Sequence, residues 1–132
     1  MLTKNRSALV VGLLVMILMG GCAKNTTVYL NNEGEVTTPV SFSKEIIPIF
    51  NKSCNTSGCH NKGGIAPDLS AENAYTSLTN GGYYNVADPA NSVLYLWLTG
   101  KKTPAMPLGA ANNPSNVNGL TLAWIKQGAK NN

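Results

Sequence analysis

The chain has 132 residues, a length that predicts one folded domain. It carries 10 basic and 6 acidic residues, and its formal net charge is +4. The basic residues form no run longer than the pair Lys101-Lys102, so the charge gives no support for a nucleic-acid-binding protein.

The first 21 residues have the composition of an export signal. Lys4 and Arg6 supply positive charge, and an apolar run follows that is too short for a membrane span. The next residues, Gly20-Gly21-Cys22, resemble the lipobox of bacterial lipoproteins, although the leucine lies one position further from the cysteine than usual. The resemblance implies a lipoprotein on the periplasmic side of a membrane or in the cell envelope, anchored by a lipid on Cys22. The alternatives are an ordinary signal peptide and an uncleaved anchor.

Residues 22–40 are predicted to form the lipidated N-terminus and a flexible tether. The segment is mostly polar, and such a composition buries too little apolar surface to offset the entropy of ordering the chain. The folded domain is expected to cover residues 41–132. A cofactor is a common supplement to the thin core of so small a domain.

The predicted fold class is all-α, with about four helices and long loops. No alternating pattern in residues 41–132 demands a sheet. The first predicted helix covers residues 43–53 and starts or bends near Pro48, and the second covers residues 71–78 with Ser70 as its N-cap. The third is capped by Asp88, has Pro89 in its first turn and ends at Gly100. The fourth covers residues 118–127 and is stopped by Gly128.

The residues that carry chemistry lie between Cys54 and His60. Two thiols, Cys54 and Cys59, can form thioethers with the two vinyl groups of haem, and a histidine directly after the second can be the proximal iron ligand. The usual spacing is C-x-x-C-H, whereas four residues separate the cysteines here. Gly58, with small residues before it, gives the longer loop room to bulge.

Met106 is the candidate for the second axial ligand of a haem iron. It is the only methionine outside the signal segment, and a thioether is a usual sixth ligand in cytochromes c. Pro104 and Pro107 stiffen the loop that carries it. The other interpretation is a hydrophobic plug beneath the loop, which is a common use of methionine.

These residues give the chain from about Ser41 to Asn132 a resemblance to the single-haem, class I c-type cytochrome domains of bacterial lipoproteins. The matching stretches are Phe42 to Phe50, Cys54 to His60, Asp88 to Tyr95, Ala105-Met106-Pro107 and Leu122 to Ala129. The resemblance implies one haem c per chain, redox partner proteins and electron transfer rather than an enzyme activity. It also implies that the first and last helices cross, with Ile49, Phe50 and Trp124 in contact. The four-residue spacing departs from the family's usual motif.

Three other interpretations of the same residues stay open. The first is a haem-free binding lipoprotein in which Cys54 and Cys59 form a disulfide. The second is a copper protein, although a blue-copper site uses two histidines and this chain has one; zinc and an iron–sulfur cluster lack ligands. The third is an enzyme with a cysteine nucleophile and His60 as base, for which no orienting group is evident. Four aromatic residues could border a haem, although core packing explains their spacing better: Tyr83, Tyr84, Tyr95 and Trp97.

Overall fold

The computed structural model describes residues 35–109 and 115–132. The predicted signal, Cys22 and most of the predicted tether lie outside these ranges. Within them the regular structure is helical and no strand occurs, which confirms the all-α prediction at that level. None of the helices in the two ranges has the length and hydrophobicity that a membrane span needs.

Four α-helices follow one another along the described chain. A π-helical turn, Phe42–Ile46, runs directly into α1, Ile47–Ser53. Helix α2 is Ala74–Asn80, a 3₁₀ turn is Pro89–Asn91, α3 is Val93–Leu98 and α4 is Ser115–Lys126. The α-helix therefore starts near Pro48, one of the two predicted alternatives: Pro48 is the second residue of α1, where a missing N–H is tolerated.

The start of the first helical segment is fixed by Ser41. The Ser41 hydroxyl accepts a hydrogen bond from the Lys44 backbone N–H at 3.3 Å, and a Glu45 carboxylate oxygen accepts one from the Ser41 N–H at 2.6 Å. This reciprocal arrangement satisfies N–H groups that have no partner inside the helix.

Helix α2 begins later than the sequence predicts. Ser70 does not act as its N-cap, because the Ser70 hydroxyl instead donates to the Asp68 carboxylate at 2.6 Å. The Ser70 carbonyl accepts hydrogen bonds from the N–H groups of Asn73 and Ala74, so residues 71–73 form a turn before the helix. A local side-chain bond has displaced the helical start.

The third predicted helix is divided into two elements. Ser92 separates the 3₁₀ turn from α3 with φ −58° and ψ 133°, an extended conformation. Its buried hydroxyl accepts a hydrogen bond from the Asn85 N–H at 2.9 Å, which ties the break to the preceding loop. The end of α3 agrees with the prediction, because Gly100 follows with a φ of +71°.

Helix α4 starts three residues earlier than predicted, at Ser115, and ends at Lys126. Gly128, with φ +96°, stops the helix as predicted. The Trp124 side chain is buried in the core and its indole N–H donates to the Lys130 carbonyl at 2.9 Å.

The core forms where the π-helical turn meets α4. The Phe42 ring lies 5.0 Å from the Trp124 ring, 6.2 Å from Phe50 and 5.5 Å from Tyr75. The resemblance implied Ile49 and Phe50 as the crossing contacts. Phe42, in the π-helical turn, makes the close ring contact with Trp124, while Ile49 is only partly buried.

Residues 35–40, which the sequence assigns to the tether, lie against α4 and the segment after it. Val36 and Val40 are only 5% and 4% exposed. The side-chain amide of Gln127 binds this segment at two points. Its oxygen accepts a hydrogen bond from the Val40 N–H at 2.8 Å, and its nitrogen donates one to the Thr38 carbonyl at 3.0 Å. Val36 and Val40 are therefore part of the packed structure, although the sequence assigned residues 22–40 to the tether. Val36 and Val40 are four residues apart in a mostly polar stretch, so the composition of the stretch did not predict their burial.

Candidate cofactor site

One cavity of about 390 Å³ brings Cys54, Cys59, His60 and Met106 together. The rest of its lining contains no charged side chain and consists of Phe50, Ser53, Thr56, Gly58, Ile65, Ala66, Pro67, Leu69, Tyr83, Leu94, Trp97, Leu98, Pro107 and Leu108. A volume of about 300–1,000 Å³ with mainly apolar walls is typical of cofactor and ligand sites. All four residues predicted for haem within the described part of the chain border this cavity.

The end of α1 presents the first thiol to the cavity. The backbone N–H of Cys54 still donates to the Phe50 carbonyl at 2.8 Å, so this residue continues the last turn of the helix. The loop to the second thiol then closes on itself: the Cys59 N–H donates to the Thr56 carbonyl at 2.9 Å and the His60 N–H to the Cys54 carbonyl at 3.1 Å. Gly58 takes a φ of +80° in this turn, a conformation that glycine adopts readily.

Both cysteines are free thiols and partly buried. Burial and, to a smaller extent, the neighbouring Cys59 charge raise the pKa of Cys54 to about 11. At neutral pH Cys54 is therefore a neutral thiol beside an apolar cavity, and a neutral thiol is a poor nucleophile compared with a thiolate.

His60 is oriented by two backbone carbonyls. Its Nδ1 lies 3.0 Å from the Ile65 carbonyl oxygen and 3.1 Å from the Pro67 carbonyl oxygen. A carbonyl only accepts, so Nδ1 is a proton donor here, and in the neutral tautomer with this arrangement Nε2 is the nitrogen with a free lone pair. A histidine that ligates a metal is commonly held in this way through its other nitrogen.

Met106 reaches the cavity because its loop folds back on α3. The Met106 N–H donates to the Trp97 carbonyl at 3.2 Å, and the N–H groups of Lys101 and Lys102 donate to the Leu96 carbonyl at 2.9 Å and 3.2 Å. These bonds use carbonyls at the helix end that have no partner inside the helix. The thioether is partly buried at the cavity wall.

Of the four aromatic residues that could pack in the core or border a haem, two line the cavity, one packs in the core, and Tyr95 is partly buried and does not line the cavity. Tyr83 and Trp97 line the cavity, and their ring centroids lie 6.1 Å apart. The ring of Tyr84 packs against Trp124 in the core at 5.2 Å. The prediction of core packing therefore describes Tyr84. It did not include the position of Tyr83 and Trp97 at the cavity wall.

The sequence did not reveal two kinds of residue in the site. One kind contributes a backbone carbonyl, and the other lies at the rim of the cavity. Pro67 acts through its carbonyl, which no side-chain pattern reveals. Ile65 and Leu108 line the cavity and are nevertheless 62% and 68% exposed. The available signal was weak: each is a large apolar residue next to glycine or proline, in a loop without periodicity.

The composition of the cavity fits a covalently bound haem. Its uncharged, largely apolar walls suit a porphyrin, its two thiols suit thioether attachment, and its imidazole and thioether are the usual axial pair of cytochromes c. No cluster of three or more His, Cys, Asp or Glu side chains suited to a bare metal ion occurs among residues 35–109 and 115–132. A haem iron takes four of its ligands from the porphyrin and needs only two from the protein.

Comparisons of the chain with models of protein families, with curated proteins and with solved structures found no match.

Proposed function

We propose that this protein is an exported, membrane-anchored electron carrier with one covalently bound haem. The observation that carries the proposal is the shared cavity of Cys54, Cys59, His60 and Met106. His60 and Met106 are distant in the sequence, and a random arrangement would not bring the only histidine and the only methionine outside the signal segment to the same apolar cavity.

Each of the four residues has a distinct task in this proposal. Cys54 and Cys59 hold the haem through thioethers, which, like the neutral Cys54 thiol before attachment, bring no charge into the apolar site. His60 offers Nε2 to the iron while the Ile65 and Pro67 carbonyls hold Nδ1–H. Met106 offers a soft, neutral sulfur. The bound haem supplies a one-electron couple.

The mainly apolar walls of the cavity would surround the redox centre. Apolar surroundings stabilise the form with less net charge and so help to set the reduction potential. Ile65 and Leu108, exposed at the rim, offer an apolar edge at which a redox partner protein could approach. Membrane attachment rests on the Gly20-Gly21-Cys22 sequence, with the lipid on Cys22.

Covalent attachment is the direct test of this proposal. The full chain is expressed with a c-type cytochrome maturation system and the haem is followed through denaturing electrophoresis. Wild type should retain haem on the polypeptide, because thioethers survive detergent. Cys54→Ala and Cys59→Ala should each lose one thioether, and the haemochrome absorption of any attached haem should shift to the red because one vinyl group stays unsaturated.

Cys22→Ser is the matched control, since it removes the remaining cysteine of the chain and leaves Cys54 and Cys59 in place. It should keep wild-type haem attachment and lose membrane association. A matured wild-type protein without a Soret band would contradict the proposal. A Cys54–Cys59 disulfide found by mass spectrometry in that haem-free protein would favour the binding-lipoprotein alternative.

A further inference from the structure

The loop that orients His60 is itself held by a hydrogen-bond network centred on Asp68. One carboxylate oxygen of Asp68 accepts from the Ser70 N–H at 2.9 Å and from the Ser70 hydroxyl at 2.6 Å. The other accepts from the Asn73 side-chain amide at 2.8 Å. Asp68 therefore ties the loop to the turn that leads into α2.

The backbone of Asp68 adds a second attachment to the same helix. Its N–H donates to the Ser77 hydroxyl at 2.9 Å, and Ser77 lies within α2. The Pro67 carbonyl, which contacts His60 Nδ1, belongs to the peptide unit that carries this N–H. Any rotation of that peptide changes both bonds, so the Asp68–Ser77 contact fixes the direction of the carbonyl that faces His60.

The remaining backbone hydrogen bonds of the loop stay within the segment from Cys59 to Leu69. The Leu69 N–H donates to the His60 carbonyl at 2.7 Å and the Ile65 N–H to the Cys59 carbonyl at 2.8 Å, which close the loop on the haem-attachment motif. The Lys62–Glu72 pair, at 4.0 Å between largely exposed side chains, contributes little. Among the hydrogen bonds of residues 35–109 and 115–132, those of Asp68 are the ones that connect the peptide of the Pro67 carbonyl to α2, a helix outside the motif.

We infer that Asp68 is a positioning residue for the proximal ligand: its carboxylate, through Ser70 and Asn73, and its backbone N–H, through Ser77, hold the Pro67 carbonyl against His60 Nδ1–H. This inference deepens the proposed function and rests on it. A firm Nδ1–H···O=C bond makes the imidazole a stronger electron donor to iron, which favours the ferric state. Weakening the bond should therefore raise the reduction potential.

The test uses the full-length, haem-loaded protein with Asp68→Asn and Asp68→Ala. Two quantities are measured: the midpoint potential, and the solvent-exchange rate of His60 Nδ1–H by NMR of the diamagnetic ferrous protein. Asp68→Ala should raise the potential and speed exchange about tenfold, the equivalent of one lost hydrogen bond. Asp68→Asn keeps an oxygen for Ser70 but places an amide opposite the Asn73 amide, so its effects should be intermediate.

Asp88→Asn and Asp88→Ala are the matched controls. Asp88 accepts from the Asn91 side-chain amide at 2.9 Å, a comparable Asp–Asn bond beside a short helical turn, but it does not belong to the loop whose carbonyls contact His60. Both controls should leave the potential and the exchange rate at wild-type values. Asn73→Ala removes one bond of the network without changing Asp68 and covers the case in which Asp68→Ala does not fold.

The outcomes separate this inference from the proposed function. Haem-loaded Asp68 and Asn73 variants with lowered melting temperatures, but with wild-type potential and exchange rate, would show a structural role only and overturn the inference while the haem function stands. A wild-type protein that attaches no haem would overturn both. A raised potential and faster exchange in the Asp68 series, absent from the Asp88 series, would establish the positioning role.

Discussion

Met106 is the residue on which the redox properties of the proposed site depend most. A thioether ligand favours the ferrous state and raises the potential compared with a second histidine. The loop that carries Met106 is held to α3 by backbone bonds to the Trp97 and Leu96 carbonyls. The sulfur is therefore presented by a fixed backbone.

Met106→Ala should abolish the weak charge-transfer band that iron–sulfur ligation produces near the red end of the ferric visible spectrum. It should also lower the potential, open the iron to cyanide and leave both thioethers intact. Leu108→Ala is the matched control, because Leu108 lines the same cavity from the same loop but offers no ligand. If Met106→Ala keeps the band and the potential and loses only stability, the methionine is a hydrophobic plug.

The ionisation of the Asp68 carboxyl leads to a prediction of how the stability of the fold depends on pH. Hydrogen bonds from the Ser70 side chain, the Ser70 N–H and Asn73 hold the pKa of this carboxyl below its ordinary value of 3.8. The ionised form is thus favoured in the folded state, and its stabilising effect is present above pH 3.8 and lost as the pH falls through the lower folded-state pKa.

Melting temperatures of wild type and Asp68→Asn should therefore differ at pH 7 and converge as the pH drops below about 4. The variant should be the less stable protein at neutral pH. Circular dichroism across this pH range measures the difference between the two proteins, so acid effects common to both cancel. A difference that stays constant with pH would show that the Asp68 carboxylate contributes no charge-dependent stability.

At the scale of the elements, the sequence predicted best where one residue type dictates the backbone. Pro48 lies in the first turn of α1, Gly100 follows the end of α3 and Gly128 stops α4, because proline and glycine restrict or release φ directly. The start of α2 and the break at Ser92 were missed, because Ser70 and Ser92 bond to Asp68 and Asn85 rather than to a helix.

The residues of the candidate site also fall into those that the sequence could indicate and those that it could not. Cys54, Cys59, His60 and Met106 were found because their side chains carry the chemistry. The Pro67 carbonyl and the Asp68 network were not found, because they depend on how a loop without periodicity folds. The contact between Phe42 and Trp124 was also missed, since the π-helical turn lengthens the first helix toward its N-terminus.

The burial of Phe42 leads to a prediction of how much the packing between the π-helical turn and α4 contributes to stability. Its side chain is buried against three aromatic rings. Phe42→Ala should lower the free energy of unfolding by about 3–5 kcal/mol, measured by urea titration. Phe42→Leu fills part of the volume and should cost less. A loss below about 1 kcal/mol for the alanine variant would mean that this contact does not hold the two elements together.

For the molecule as a whole, basic side chains are concentrated in the segments that line the cavity. Residues 50–69 and 94–108 carry four lysines and one carboxylate: Lys52, Lys62, Lys101, Lys102 and Asp68. The other described residues carry three lysines and four carboxylates: Lys44, Lys126, Lys130, Glu35, Glu45, Glu72 and Asp88. An anionic reagent or an acidic partner surface is therefore attracted to the cavity side.

Lys101 and Lys102 allow this asymmetry to be tested, because they lie next to the cavity wall. The Lys102 ammonium is 5.5 Å from the centroid of the Trp97 ring, and Trp97 lines the cavity. Lys44 lies in the π-helical turn, ten residues before Cys54 and at the opposite end of the first helical segment. Lys130 follows α4, is exposed and does not line the cavity.

The double variant Lys101→Gln/Lys102→Gln should slow oxidation of the ferrous protein by ferricyanide about threefold at low ionic strength. The matched control, Lys44→Gln/Lys130→Gln, removes the same amount of charge and should have a smaller effect, because its lysines lie away from the cavity. Stopped-flow rates of the two variants should converge as added salt shortens the screening length. Equal slowing in both variants at low salt would mean that net charge alone governs the encounter, and that electrons do not leave preferentially at the cavity rim.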